Sequence, residues 1–384
     1  MASTPSARPA NRYDRMEWAG AFGDLGTLVP FVTAYISILK LDPFGVLFAF
    51  GLSMVICGLY YRTPFPVQPM KAIGAVAALQ AVPTVSVTPA AVYSAALATG
   101  VIWLLLGLSG LMGRVARLVP PAVVIGIVLG LGLAFMLRGV TMMHTDWLIA
   151  VIGMAGAVIL MGNRTVPAMF VLLVFGAIVG AVQQPELFSR LRDASIGWRA
   201  PSLAITDITW DQLWVGVVLL ALPQIPLTLG NAVIAITDEN NRLFPQSRVT
   251  EGRVAVSTGI MNLFSGTIGG VPMCHGAGGM AAHRAFGART GGALVILGAV
   301  LLVLALCFSQ SVEALFQLFP TAVLGVILFL TGVQLAVGSS VLPPDRGDRV
   351  VAIVCAALCV GNVAVGFVAG IVLHHINRRG WLRF

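Results

Sequence analysis

Long apolar runs separated by short polar joints constrain this chain more than any other feature. Residues 88–112 and 290–310 contain no charged side chain. Backbone inside hydrocarbon must satisfy its own N–H and C=O groups, which leaves only helices or closed barrels. A helix crosses with about 20 apolar residues. Runs of this kind recur at 17–40, 44–61, 70–82, 88–112, 119–138, 147–162, 166–183, 212–237, 250–268, 273–286, 290–310, 318–337, 349–361 and 363–377. The composition agrees: 58% of residues are hydrophobic and 10% charged, against roughly 25% charged in soluble domains. The expected fold is an all-α polytopic membrane protein with 14 transmembrane segments.

The net charge of +8 follows the positive-inside rule and gives no reason to expect nucleic acid as a partner. With the N-terminus in the cytosol, 17 of the 23 Lys and Arg fall on that side, 5 fall outside, and Lys71 lies within the membrane. The N-terminus lacks an apolar h-region, so no removable signal peptide is expected. The cysteines at 57, 274, 307, 355 and 359 form no metal-type cluster. Cys274 and His275 are adjacent, which is not a zinc spacing. No metal, cofactor or catalytic residue is expected.

The chain resembles itself. "LVPPAVVIG" (Leu118–Gly126) and "LFPTAVLG" (Leu318–Gly325) lie 200 positions apart. "QPMKAIGAVAA" (Gln68–Ala78) and "VPMCHGAGGMAA" (Val271–Ala282) share a Pro-Met start and a run of small residues. Seven spans separate corresponding points, and an odd number inverts the second copy. Inverted repeats are a common construction of secondary transporters. Two segments are also too short to cross: Met70–Val82 has 13 residues, about 20 Å as a helix. Met273–Phe286 is equally deficient and contains Gly276, Gly278 and Gly279. Paired short segments of this kind point to a transporter binding site.

Lys71 stands at the start of the first short segment. The N-terminus of a half-helix carries roughly +0.5 charge and free N–H groups. Two such ends and a lysine favour an anion, even a dianion. Two other readings of Lys71 stay open: snorkelling to the interface and an ion pair with Asp24. Asp24 lies in "FGDLGTLVPF" between Gly23 and Gly26, with Thr27 following. It is either an in-span proton carrier or a solvated charge at the cytosolic end. In "ALPQIPLTLGNAVIAITDEN", Gln224, Thr228 and Asn231 share one helical face. They suit either an oxyanion or interhelical hydrogen bonding. His275 is a further candidate anion donor or proton carrier. Residues 184–211 read as an external loop with a short interfacial helix, and 238–249 as a polar cytosolic turn.

"FGDLGTLVPF", "PFPVQPMKAIGAVAA", "PQIPLTLGNAVIA" and "GGVPMCHGAGGMAAHRAFGARTGG" resemble the signature segments of the plant-type molybdate transporter family, a branch of the sulfate permease (SulP) superfamily. The resemblance runs from about Trp18 to His374. It implies a 7+7 inverted-repeat transporter fold with half-helices 3 and 10. Core-domain halves would span 17–112 and 212–310, and gate-domain halves 113–183 and 311–377. A cytosolic tail (1–16), the external loop (184–211) and a second cytosolic tail (378–384) complete the chain. No carboxy-terminal regulatory domain is expected after the last span, unlike in many sulfate permeases. The implied substrate site comprises Gln68, Pro69, Met70, Lys71 and Ala72 on one side. Cys274, His275, Gly276, Ala277 and Gly278 lie on the other, completed by Thr27, Gln224, Thr228 and Asn231. Asp24 and His275 are the candidates for proton coupling. The expected activity is high-affinity molybdate uptake across the plasma (inner) membrane by alternating access, with both termini cytosolic. Sulfate or general oxyanion transport, a passive anion channel and a membrane enzyme using Cys274 and His275 are the alternatives. Tungstate is an expected competitor, and a homodimer is compatible with the resemblance.

Overall fold

The computed structural model describes residues 10–33, 35–36, 39–71, 73, 87–161, 163, 165–192, 196–338 and 343–379. Helices dominate, and their starts are chemically marked. Asp42 accepts from Phe44 N with Pro43 opening the helix Pro43–Tyr61. Thr88 does the same for Ala91 N ahead of Pro89–Leu108. Asp146, Thr250 and Asp345 cap Trp147–Leu160, Glu251–Thr267 and Arg346–Gly361. Side-chain oxygens here replace the missing intrahelical acceptor, and proline at the first position forfeits only an N–H that was free anyway.

Among the described residues, four helices are long and apolar enough to cross a membrane: Pro43–Tyr61, Pro89–Leu108, Pro121–Met143 and Gly292–Leu318. Shorter apolar helices include Trp147–Leu160 and Ala168–Gln183. Large apolar side chains such as Leu105, Leu148, Ile159 and Val182 are exposed on the outside. That surface is suited to lipid rather than water.

Glycines set the helix pairs. Gly51 meets the backbone at Gly298, and Gly58 meets Gly291. Gly132 and Gly332 meet, as do Gly139 and Gly325. In each pair one number rises by seven while the other falls by seven, so the helices run antiparallel. Pro43–Tyr61 thus packs on Gly292–Phe308, and Pro121–Met143 on Thr321–Gly338. Gly126 and Gly130 face Cys355 and Cys359, so Arg346–Gly361 runs parallel to Pro121–Met143. Close approach through small residues suits helices that gain no hydrophobic drive from one another in lipid. The cysteines at 57, 274, 355 and 359 are buried packing residues, and all five are free.

Two helical paths are irregular where the site forms. The first runs as Arg15–Ala21, a 3-10 turn Phe22–Asp24, and Leu25–Thr33. Gly20 and Gly23 there lie against the backbone at Ala288 and Ala282. The second is continuous from Trp210 to Leu243, with π-helical stretches at Gly216–Ala221 and Thr228–Ala235. Pro223 and Pro226 lack N–H donors, and wider turns absorb the mismatch.

The expected polar turn at 238–249 is therefore corrected: helix continues to Leu243. Asn241 then closes the joint, exchanging hydrogen bonds with Val249 N and O at 2.8 and 2.9 Å. Short helices at Met112–Arg117 and Val312–Leu318 were not expected. A short helix at Pro185–Arg192 stands where one was expected within 184–211. The loop then straps back, with Gly197 N and Arg199 N donating to Cys307 O and Leu306 O.

Candidate functional site

Two extended segments meet in the protein interior. Gln68–Pro69 (β1) pairs antiparallel with Met273–Cys274 (β2), with Gln68 opposite Cys274. Met70 N extends the pairing to Pro272 O at 2.9 Å. The outer edge of β2 is satisfied by a side chain. Asn262 donates to Met273 O at 2.6 Å and accepts from Met273 N at 2.8 Å. Buried irregular backbone persists only when its polar groups are matched in this way.

A nine-residue helix, Ala277–Ala285, follows β2. Gly276 is its N-cap residue and supplies no capping side chain. The first N–H groups of that helix therefore have no side-chain acceptor. Gly276 is wedged between Gln68 Oε1 and Asn231 Nδ2, the latter 3.2 Å from where a β-carbon would sit. A β-carbon on Gly278 would come within 2.7 Å of the Phe135 ring.

Asp24 is buried beside β1. Both its carboxylate oxygens accept from Gln68 Nε2 at 2.8 Å. Thr27 Oγ1 donates to the same carboxylate and lies 3.1 Å from Gln68 Nε2. Asp24 is thus an interior residue and not a solvated charge. Lys71 makes no ion pair with it. The Lys71 ammonium is buried within the protein, 4.4 Å from the centre of the Phe135 ring, although its stem is half-buried. That position rules out snorkelling.

Several polar atoms around this point are buried without a hydrogen-bond partner among the described residues. They are Lys71 Nζ, Gln68 Oε1, Asn231 Oδ1, Tyr35 Oη and His283 Nε2. His283 Nδ1 donates to Gly20 O at 2.8 Å, which fixes the tautomer and leaves Nε2 bare. Buried polar groups are normally paired, and each exception calls for a reason.

The structure thus brings Thr27, Asp24, Gln68, Pro69, Met70, Lys71, Asn231, Cys274, Gly276, Ala277 and Gly278 into one region. Gln224 and Thr228 are buried along the helix that carries Asn231, with Gln224 donating to Thr228 at 3.0 Å. Ala72 and most of the expected half-helix 70–82 lie outside the described residues. His275 departs from its expected role. Its Nδ1 bonds Pro66 O at 2.7 Å and its Nε2 bonds Ser257 Oγ at 2.8 Å. Tyr61 and Phe65 pack edge-on against its ring. Both nitrogens are engaged, so the imidazole is a brace for β2. Sequence reasoning missed Tyr35, Phe135 and His283. An in-span histidine such as His283 was itself a signal; Phe135 carried none.

The family described as "Molybdate transporter of MFS superfamily" matches residues 16–135 and 216–335. Molybdate transporter 1 of Arabidopsis thaliana is 31% identical, over 95% of this chain and 88% of its own. Molybdate transporter 2 of the same plant is 29% identical, over 93% and 86%. Molybdate transporter 1 of Chlamydomonas reinhardtii is 28% identical, over 93% and 90%. In fold, the inward-facing anion transporter Slc26a9 of the mouse superposes with a TM-score of 0.64 at 13% identity, over 98% of this chain and 70% of its own. The transmembrane domain of the cyanobacterial bicarbonate transporter BicA gives 0.58 at 16% identity, over 96% of this chain and 100% of its own. The architecture is therefore a helical membrane transporter fold of the SLC26/SulP type, whatever superfamily the family description names. The chain belongs to the molybdate transporter family.

Proposed function

We propose that this protein carries molybdate across the plasma membrane by alternating access, with the site between the ends of half-helices 3 and 10. The observation that carries the reading is the uncapped N-terminus at Gly276, whose helix shares the Phe135 ring with an ammonium that has no acceptor among the described residues. Helix N–H groups and Lys71 supply donors and positive charge for a tetrahedral dianion. Family membership supplies molybdate as the member of that class.

The wider architecture is part of the proposal. Fourteen segments form two inverted sevenfold repeats, with core (17–112, 212–310) moving against gate (113–183, 311–377). The family match recurs 200 residues apart, and the helix pairs run in the directions that alternate crossing requires. Phe135 comes from the gate and touches Lys71 and Gly278 of the core, so the site lies at their boundary. Asp24 is the proposed proton carrier, both termini are cytosolic, and the unit in the membrane is a homodimer.

The test is saturable molybdate uptake into proteoliposomes, with tungstate and sulfate as competitors. Uptake blocked by tungstate, spared by excess sulfate and lost in Lys71→Ala is expected. Equal block by sulfate would make this a general oxyanion carrier. Uptake that ignores an imposed pH gradient would remove Asp24 from coupling, and flux without saturation would mean a channel.

A further inference from the structure

Gln68 holds an unsymmetrical position. Its Nε2 carries two hydrogens, and both carboxylate oxygens of Asp24 lie 2.8 Å away. An ionised carboxylate only accepts. The amide is therefore forced to point Nε2 at Asp24 and Oε1 the other way. Oε1 is buried without a donor and faces Gly276, the N-cap of the Ala277–Ala285 helix. Asn231 presents its Nδ2 to the same point. An oxyanion approaching that helix end therefore meets one acceptor, Gln68 Oε1, where it needs a donor.

We propose that Gln68 is the coupling switch of this site: protonation of Asp24 turns its amide end for end, replacing an acceptor by a donor at Gly276. This rests on the oxyanion reading and says how the proton acts. A proton taken from water onto Asp24 converts one carboxylate oxygen into an O–H donor. Thr27 and Gln68 both touch the carboxylate and both can accept from it, Gln68 once its amide has rotated about the soft terminal torsion, and of the two it is Gln68 that also lies against Gly276. Oε1 then accepts from Asp24, and Nε2 faces the helix end. One proton thereby removes a negative charge and adds a donor for the oxyanion. Proton and oxyanion favour each other by the same factor in either order of binding.

The other ionisable groups facing Asp24 are His283 on the Ala277–Ala285 helix, Lys71 after β1, and Cys274 in β2. Helix Thr321–Gly338 also packs against Phe22–Asp24 but carries no ionisable side chain. None of these offers the acceptor that a protonated Asp24 needs while also facing Gly276.

The experiment is infrared difference spectroscopy between high and low pH on the lipid-reconstituted protein without oxyanion. A protonated-carboxyl band is expected together with a shift of one glutamine amide carbonyl. Both should vanish in Asp24→Asn, and only the amide shift in Gln68→Met. A carboxyl band that appears with no amide shift overturns the switch. Calorimetry in buffers of different ionisation enthalpy then counts protons taken up per molybdate. Wild type should take up about one proton. Asp24→Asn, whose amide cannot titrate, should bind without proton uptake and independently of pH. Proton uptake that persists in Gln68→Met also overturns the switch, since Asp24 would then act by charge alone. An amide shift with no molybdate binding in the wild type would overturn the oxyanion reading instead.

Discussion

The amide oxygen of Gln68 lies where a side chain on Gly276 would have to be. This contact joins β1 to the start of helix Ala277–Ala285. Alanine at 276 must push the Gln68 amide aside, and that amide is held by both oxygens of Asp24. Hydrogen bonds to a charged group contribute about 1.5–3 kcal/mol. Gly276→Ala is expected to lower molybdate uptake at least about tenfold, with a small change in melting temperature. Uptake and thermal melts on the same preparation check this, and unchanged uptake would mean that Gln68 moves freely.

His275 braces β2, so its loss should be structural. His275→Leu leaves Ser257 Oγ and Pro66 O without their imidazole partner. Leaving buried polar groups unpaired costs about 1–3 kcal/mol. The variant is expected to melt earlier while the pH profile of its residual uptake stays where the wild type has it. A displaced pH profile would return His275 to proton coupling.

The signals legible in the sequence were local. Lys71 and the Gly276–Gly279 run stand out because a charge and several glycines are costly inside an apolar segment. The structure brings both beside the Phe135 ring and the paired strands β1 and β2. His275 and His283 show the limit. Each is an in-span histidine on or beside the same short helix, and composition alone cannot tell them apart. Their difference lies in distant partners: Pro66 and Ser257 for one, Gly20 and Asp24 for the other. The helix through Leu243 was cut short for a related reason. The polar residues 238–243 look like a loop, yet Asn240 is buried, bonded to Thr63 Oγ1 at 2.8 Å and to Ser247 O at 2.9 Å. Tertiary partners of this kind carry no local signature.

The strap at 196–204 is held by Arg199, whose guanidinium meets both oxygens of Asp42 at 2.8 and 2.7 Å. Both side chains are about two-fifths exposed, so solvent screens the pair and its contribution is about 0.2–1 kcal/mol. Asp42 also caps Pro43–Tyr61. Asp42→Asn keeps a capping oxygen and loses the ion pair, whereas Asp42→Ala loses both. Thermal melts should place Asp42→Ala below Asp42→Asn by about 1 kcal/mol. Asp42→Asn should match Arg199→Ala. Equal melts for the two Asp42 variants would show that the cap contributes nothing.

Phe135 is where helix Pro121–Met143 touches the lysine. The Lys71 ammonium has no acceptor among the described residues and rests on the ring face. Such a contact stabilises by about 0.5–1 kcal/mol at exposed sites and about 2 kcal/mol when dry. The oxyanion has to draw the ammonium from that face, so the ring competes with substrate. Phe135→Leu keeps an apolar side chain against Gly278 and removes the π face. Molybdate affinity is expected to rise about two- to fivefold, measured by calorimetry on the purified protein. Lys71→Met should abolish binding in either background. A fall in affinity for Phe135→Leu would mean that the ring packs against Lys71 in the loaded state as well, and holds the ammonium toward the substrate.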